Sequence, residues 1–233
     1  MVVPGSGARA QLEAALQQGF GVRYTTQGAP AEQPIRTSSV LILFGALDSI
    51  PAVSASSAVP GDLDVLLTRR ADTMRHHPGQ IAFPGGGFED QDVDLAATAL
   101  REAHEETGLD PADVDVLGML PPVHIPVSNN LVTPVIGWWR TPSLVAADHT
   151  ESVEVFRVPV AELLDPASRG MSRLRTPTHT YRGDAFELSP RFGGHIVWGF
   201  TGMLLASIFD GVGWSAPWDR SRIFDIAPLP ARS

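Results

Sequence analysis

The chain has 233 residues, with 17 basic against 26 acidic side chains, a formal net charge of −9 and no cysteine. Every basic residue is an Arg, so lysine nucleophiles and P-loop lysines are excluded, along with disulfides, thiolate metal sites and cysteine nucleophiles. This acidic balance argues against general binding to nucleic acid or anionic membranes, which needs basic patches, while a hydrophobic content of 43% is ample for a core.

The first residues, MVVPGSGA, lack the charged start and long apolar run of a secretory signal, so a cytoplasmic location is expected. Residues 8–20 read as a short amphipathic helix ending near Gly19 and Gly21, followed by a Pro- and Gln-bearing connector over 26–36. The apolar run 39–46 predicts a buried strand, and the Ser-, Ala- and Pro-rich stretch 48–62 a flexible hairpin loop. Strands are expected at 64–69, 114–120, 132–139 and 153–158, with a short apolar stretch at 81–87 running into glycines. A helix starts near Pro159, and 166–193 reads as turn-rich. The apolar segment Ile196 to Phe209 is shorter than the roughly 20 residues a membrane span needs, which predicts a core helix over 195–210. No repeat appears, so the expectation is one α/β unit over 36–212, preceded by a helix and connector (1–35) and followed by a tail (213–233).

The clearest helix is predicted at 95–107. One face carries Ala96, Ala99, Leu100 and Ala103, small enough to lie close against a sheet, and the opposite face carries Thr98, Glu102, Glu105 and Glu106. Asp94 is placed to cap the N-terminus, and Gly108 stands where a left-handed C-terminal cap needs a glycine. Three carboxylates within one arc repel one another unless a cation lies between them, and hard oxygen donors of this kind suit Mg²⁺ or Mn²⁺. Arg101 is able to brace a neighbouring carboxylate with its planar fork. A solvated charged face remains the plain alternative for such a cluster.

Upstream, Leu66 to Gly86 contains Arg69, Arg70, Arg75, His76 and His77 before Phe83-Pro84-Gly85-Gly86. That cationic stretch beside an acidic helix suits a substrate with several phosphates, although a solvated surface loop has the same composition. The charge is localised as well. Residues 89–115 hold ten acids against Arg101, which accounts for the whole net charge, and the rest of the chain balances.

The run from Gly86 to Leu109 resembles the signature of the Nudix hydrolases, a glycine, a spaced acid, then Arg-Glu-apolar-x-Glu-Glu-x-Gly-apolar. Here the last part reads Arg101-Glu102-Ala103-His104-Glu105-Glu106-Thr107-Gly108-Leu109. The family's usual glutamate eight residues before the arginine is replaced by Val93, and the spaced acid is Asp92, one residue earlier. The string Leu66-Leu67-Thr68-Arg69-Arg70-Ala71 through Arg75-His76-His77-Pro78-Gly79 to Phe83-Pro84-Gly85-Gly86 resembles the element that marks the coenzyme A pyrophosphatase branch, in which the longer loop is typical.

The resemblance covers roughly 36–212. It implies an α/β/α sandwich around a mixed β-sheet, dependence on Mg²⁺ or Mn²⁺, and cleavage of the pyrophosphate of coenzyme A or a CoA derivative. The products would be 4′-phosphopantetheine and adenosine 3′,5′-bisphosphate. By that implication Glu102, Glu105 and Glu106 hold metal, with Gly86 letting the backbone approach it, and Arg101 orients a glutamate. Glu151 and Glu154 are general-base candidates outside the helix. Arg69, Arg70, Arg75, His77 and Gly85 are expected at the substrate phosphates. His104 reads as a solvent-facing or packing residue, and the five Trp as core or interface residues. No nucleic-acid or membrane partner is expected, and a homodimer is compatible with the sequence. Two other readings stay open: a Nudix enzyme acting on ADP-ribose, NADH or nucleoside triphosphates, and a binding module of the same fold without activity.

Overall fold

The computed structural model describes residues 6–22, 34–46, 63–73, 78–126, 128–141, 144–148 and 152–227. The chain runs α1 (Ser6–Gln18), β1 (Arg36–Ala46), β2 (Leu63–Arg70), β3 (Ile81–Ala82), β4 (Gly85–Gly87), α2 (Leu95–Thr107), β5 (Val114–Met119), β6 (Val123–Ile125), β7 (Asn130–Trp139) and β8 (Ser152–Pro159). It continues with α3 (Val160–Leu163), β9 (Arg169–Arg175), β10 (Thr180–Glu187), β11 (Ile196–Val197), α4 (Gly199–Val212) and β12 (Ile223–Ile226). The expected hairpin loop at 48–62 and most of the connector at 26–36 lie outside the described residues.

β1 is the spine of a mixed eight-stranded sheet. It pairs in parallel with β7 along its length, Arg36↔Asn130 through Gly45↔Trp139, and β5 and β6 follow antiparallel on β7. Alternation along β1 feeds two cores. Ile42 and Phe44 join Val65, Leu67, Ile136 and Trp138 beneath α1 and α4, whereas Leu41 and Leu43 join Leu66, Val135 and Trp139 beneath α2. Ala99 and Ala103, both fully buried, let α2 lie close to that second face. Helices thus cover both faces of a mixed sheet, the α/β/α sandwich expected.

The region 166–193 differs from the expectation. Instead of turns it holds β9 and β10, which with β11 and β12 form a second, four-stranded sheet. Its strands carry charges that pair with each other: Arg169 lies 3.0 Å from Asp184, and Arg173 makes a forked contact with Asp225 of β12. Such paired charges hide the apolar alternation by which a strand is recognised in sequence. The apolar segment at 195–210 divides into β11 and α4, which starts at Gly199, a residue at φ 64°. The N-terminal and C-terminal segments reach the main body: α1 buries Ala8 and Leu12 in the larger core, and β12 pairs in parallel with β9. No helix among the described residues is long and apolar enough to cross a membrane.

Candidate active site

The site begins at a fork in the sheet. β1 and β2 pair over only three positions, from Phe44↔Val65 to Ala46↔Leu63, and then diverge. β4 takes over the edge of β1 (Val40↔Gly85, Ser39↔Gly86, Ser38↔Gly87) while β3 takes that of β2 (Thr68↔Ala82, Arg69↔Ile81). The two glycines do different work. A Cβ on Gly85 would sit 2.3 Å from the Ser39 carbonyl oxygen, so this residue is glycine because β1 backbone presses against it. A Cβ on Gly86 would sit 2.4 Å from Glu102 Cδ and 2.5 Å from both its carboxylate oxygens. The missing side chain at Gly86 is the space that Glu102 fills.

The helix α2 has the predicted bounds and both predicted caps. Asp94 accepts the Ala97 N–H at 2.8 Å, and Gly108 adopts φ 70° with its N–H donated to His104. His104 Nδ1 lies 2.8 Å from the Leu109 carbonyl oxygen, a local closure of the helix end rather than a site contact. The polar face is solvated only in part, contrary to a simple helical wheel: Glu105 is exposed, but Thr98 is fully buried and Glu106 is 3% exposed.

Arg101 organises the front of this face. Its Nε and Nη2 grip Asp92 at 2.9 and 3.0 Å, Nη1 reaches Glu102 at 2.9 Å and Glu105 at 3.3 Å, and Nη2 also donates to the Gly87 carbonyl. Asp92 is buried and also accepts from the Thr98 hydroxyl and the Glu89 N–H. The Arg101 guanidinium, with the Glu89 N–H and the Thr98 hydroxyl adding to it, holds this carboxyl well below the usual carboxylate range. Both of its oxygens are thus engaged by the protein. Asp92 ties the acidic loop to the helix, while Val93, at the position where the family pattern has glutamate, is 90% exposed.

Glu106 forms the back of the site. Ser152 of β8 donates its hydroxyl to Oε2 at 3.1 Å, while Oε1 is buried with no hydrogen-bond partner of ordinary geometry among the described residues. Burial pushes this carboxyl up to about 7, and the charge of Arg70, the Ser152 hydroxyl and the Gly85 amide only partly oppose it. Neighbouring Glu102 adds repulsion in the same direction as burial.

No group of three or more Asp, Glu or His side chains among the described residues is gathered closely enough to hold a metal ion, and Glu105 lies on Arg101 with 55% of its side chain exposed. The donor chemistry nevertheless fits a hard divalent cation. Glu106 offers a buried carboxylate oxygen with no hydrogen-bond partner among the described residues, and Glu102, near enough to repel it, is held close by the missing side chain at Gly86, so two hard oxygen donors face one place.

The remaining predicted residues divide. Arg70 meets the site through Glu106, and its Nε is buried without a hydrogen-bond partner among the described residues. Arg69 points elsewhere: its Nε binds Glu154 at 2.6 Å and its Nη1 lies 3.3 Å from Asp72, so Arg69 and Glu154 answer each other. Arg75, His77 and Glu151 lie outside the described residues. Of the five Trp, Trp138, Trp139 and Trp214 are buried in the cores. Ser152 escaped the sequence reading, because a serine at a strand start carries no signal until its partner is known.

Comparison with known proteins gives this arrangement its context. The model of the NUDIX domain matches residues 50–175, just over half of the chain. An uncharacterized Nudix hydrolase NudL from Cronobacter sakazakii is 49% identical over 100 residues, which cover 43% of this chain and 52% of that protein. The corresponding uncharacterized NudL of Escherichia fergusonii is 37% identical over 145 residues, covering 62% of this chain and 72% of its own length. The matched part therefore spans about half the length of the first of these relatives. Among solved structures, the Nudix hydrolase RenU of M. smegmatis superposes with a TM-score of 0.43 at 23% identity, over 56% of this chain and 74% of that one. With the domain model spanning both the glycine fork and the acidic helix, the chain belongs to the Nudix domain family.

Proposed function

We propose that this chain is a divalent-metal-dependent hydrolase that cleaves the pyrophosphate of coenzyme A or a CoA derivative. Water adds across the anhydride, and the two products are the phosphomonoesters 4′-phosphopantetheine and adenosine 3′,5′-bisphosphate. The observation that carries the reading is that two separate motifs meet at one place. Arg70, from the Arg-rich stretch before the glycines, sets its charge against Glu106 of the acidic helix, with Glu102 and Gly86 beside them. The family supports cleavage of a pyrophosphate. The Leu66–Gly86 string, with its likeness to the CoA pyrophosphatase branch, supports the choice of CoA.

Glu102, Glu105 and Glu106, with the Gly86 backbone, are the groups that would hold Mg²⁺ or Mn²⁺. Such an ion, when bound, supplies positive charge to the pyrophosphate and acidifies the attacking water. Arg101 fixes Glu102 through a fork already anchored on Asp92, a task that a lysine could not perform. Arg70, Arg75 and His77 serve the substrate phosphates, and the proton acceptor is either a glutamate of the helix or an acid outside it, for which Glu151 is the candidate. Arg69 takes a supporting part, since its guanidinium is engaged by Glu154 and Asp72.

The test is a substrate panel of CoA, dephospho-CoA, acyl-CoA, ADP-ribose, NADH and nucleoside triphosphates, each with Mg²⁺ and with Mn²⁺. The expected result is a kcat/KM for CoA-type substrates at least about tenfold above the others, the scale that one well-placed set of polar contacts provides. A preference for ADP-ribose or NADH would remove CoA as the substrate and leave the metal site in place.

A further inference from the structure

The buried end of α2 is held by a strap whose purpose the reaction scheme above does not use. Ala146 N–H donates to the Thr107 carbonyl at 3.0 Å and Asp148 N–H to the Glu106 carbonyl at 3.2 Å, so residues 146–148 satisfy two of the open carbonyls of the last helical turn. Asp148 Oδ1 then accepts the Ser152 N–H at 2.9 Å, which fixes the first residue of β8 relative to the helix. The ladder between β2 and β8 runs regularly to Arg69↔Glu154 and then shifts to Arg70↔Ser152, leaving Val153 as an extra residue. A bulge of this kind re-aims a side chain at the end of a strand. The side chain concerned is Ser152, 1% exposed, whose hydroxyl donates to Glu106 Oε2.

We infer that Ser152 is a positioning residue for the reaction: it fixes Glu106 by one carboxylate oxygen so that the other, Oε1, is presented to the metal-binding space beside Glu102 and Gly86. A carboxylate free at both oxygens would turn about its last torsion, whereas the Ser152 hydroxyl, acting with the pull of the Gly85 amide, selects one orientation and leaves Oε1 available. Groups that orient a ligand in this way commonly control metal affinity as strongly as they control turnover. The inference rests on the reading that Glu106 is a metal ligand, and the experiment keeps the two apart.

Mn²⁺ affinity is measured directly on the full chain by titration calorimetry, alongside kcat and KM, for Glu106→Gln, Ser152→Ala, Ser152→Val and Ser152→Thr. Thr and Val have nearly the same shape, so that pair isolates the hydroxyl, and Ser152→Ala covers the event that a branched side chain does not fit. Loss of Ser152 is expected to weaken Mn²⁺ binding by about 10-fold or more in the Ala and Val variants, with Ser152→Thr retaining affinity within about threefold. If Glu106→Gln loses Mn²⁺ binding while Ser152→Ala and Ser152→Val bind as the unaltered chain does, the positioning role is overturned and Glu106 stands as a ligand. If Glu106→Gln itself binds Mn²⁺ unchanged, the metal assignment fails and the role of Ser152 fails with it.

Discussion

Replacing Glu106 with Gln separates what this residue costs the fold from what it gives the reaction. Its carboxyl is raised from 4.5 to about 7, first through burial. Below about pH 4.5 the group is protonated in both folded and unfolded chains and costs nothing. As pH rises the unfolded chain ionises first, so folded stability falls between about 4.5 and 7, and above 7 the penalty is complete. A shift of that size corresponds to about 3 kcal/mol at pH 8 and less than about 1 kcal/mol at pH 5, at 1.36 kcal/mol per unit. Gln is neutral at every pH and keeps an oxygen for the Ser152 hydroxyl. Urea unfolding in the presence of EDTA should therefore show the Gln variant more stable than the unaltered chain by about 3 kcal/mol at pH 8, with the two converging at pH 5. Saturating Mn²⁺ should recover stability in the unaltered chain at pH 8 and do little for the variant. Activity should move the opposite way, falling by about 100-fold or more. A variant equal to or less stable than the unaltered chain at pH 8 would refute the claim that Glu106 is an ionisable group buried at a cost.

The glycine fork makes a paired prediction. Gly85→Ala sets a Cβ against β1 backbone and should destabilise by about 1–3 kcal/mol in urea unfolding, whereas Gly86→Ala displaces the Glu102 carboxylate and should cost about 10- to 100-fold in kcat with a nearly unchanged unfolding midpoint. Asp92→Asn removes the acceptor that grips Arg101 at two points, so steady-state kinetics should show a fall in kcat of about 10-fold, matched by Arg101→Lys. If Asp92→Asn keeps full turnover, the anchoring of Arg101 is not needed for it. Arg75→Ala should raise KM for CoA more than for ADP-ribose, by about 1–2 kcal/mol of lost phosphate contact; equal losses on both would dissociate that residue from CoA selection.

The sequence was most informative where local chemistry decides the structure. Residues 95–107, their Asp94 cap and their Gly108 terminus were legible because capping is a short-range matter. The alternation of Leu41 and Leu43 against Ile42 and Phe44 was latent in an apolar run whose two faces are both covered. A helical wheel assigned Thr98 and Glu106 to an open polar face, because nothing in a wheel states that β8 and the acidic loop close over it. Asp92 was recognised only as a spaced acid, since its three partners, Arg101, Thr98 and the Glu89 N–H, become visible together only when the loop folds back. β9 and β10 look like turns in the sequence because their charges are satisfied across strands that lie far apart along the chain, as with Arg173 and Asp225.

The proposed function has the acidic helix and the Arg-rich stretch cooperate in cleaving the pyrophosphate of CoA. Incubation of the full chain with CoA and Mg²⁺, followed by mass-spectrometric identification of products, tests it most directly. The expected products are 4′-phosphopantetheine and adenosine 3′,5′-bisphosphate in equal amounts, both abolished by EDTA and by Glu106→Gln. CoA recovered intact under conditions in which ADP-ribose or a nucleoside triphosphate is hydrolysed would contradict it.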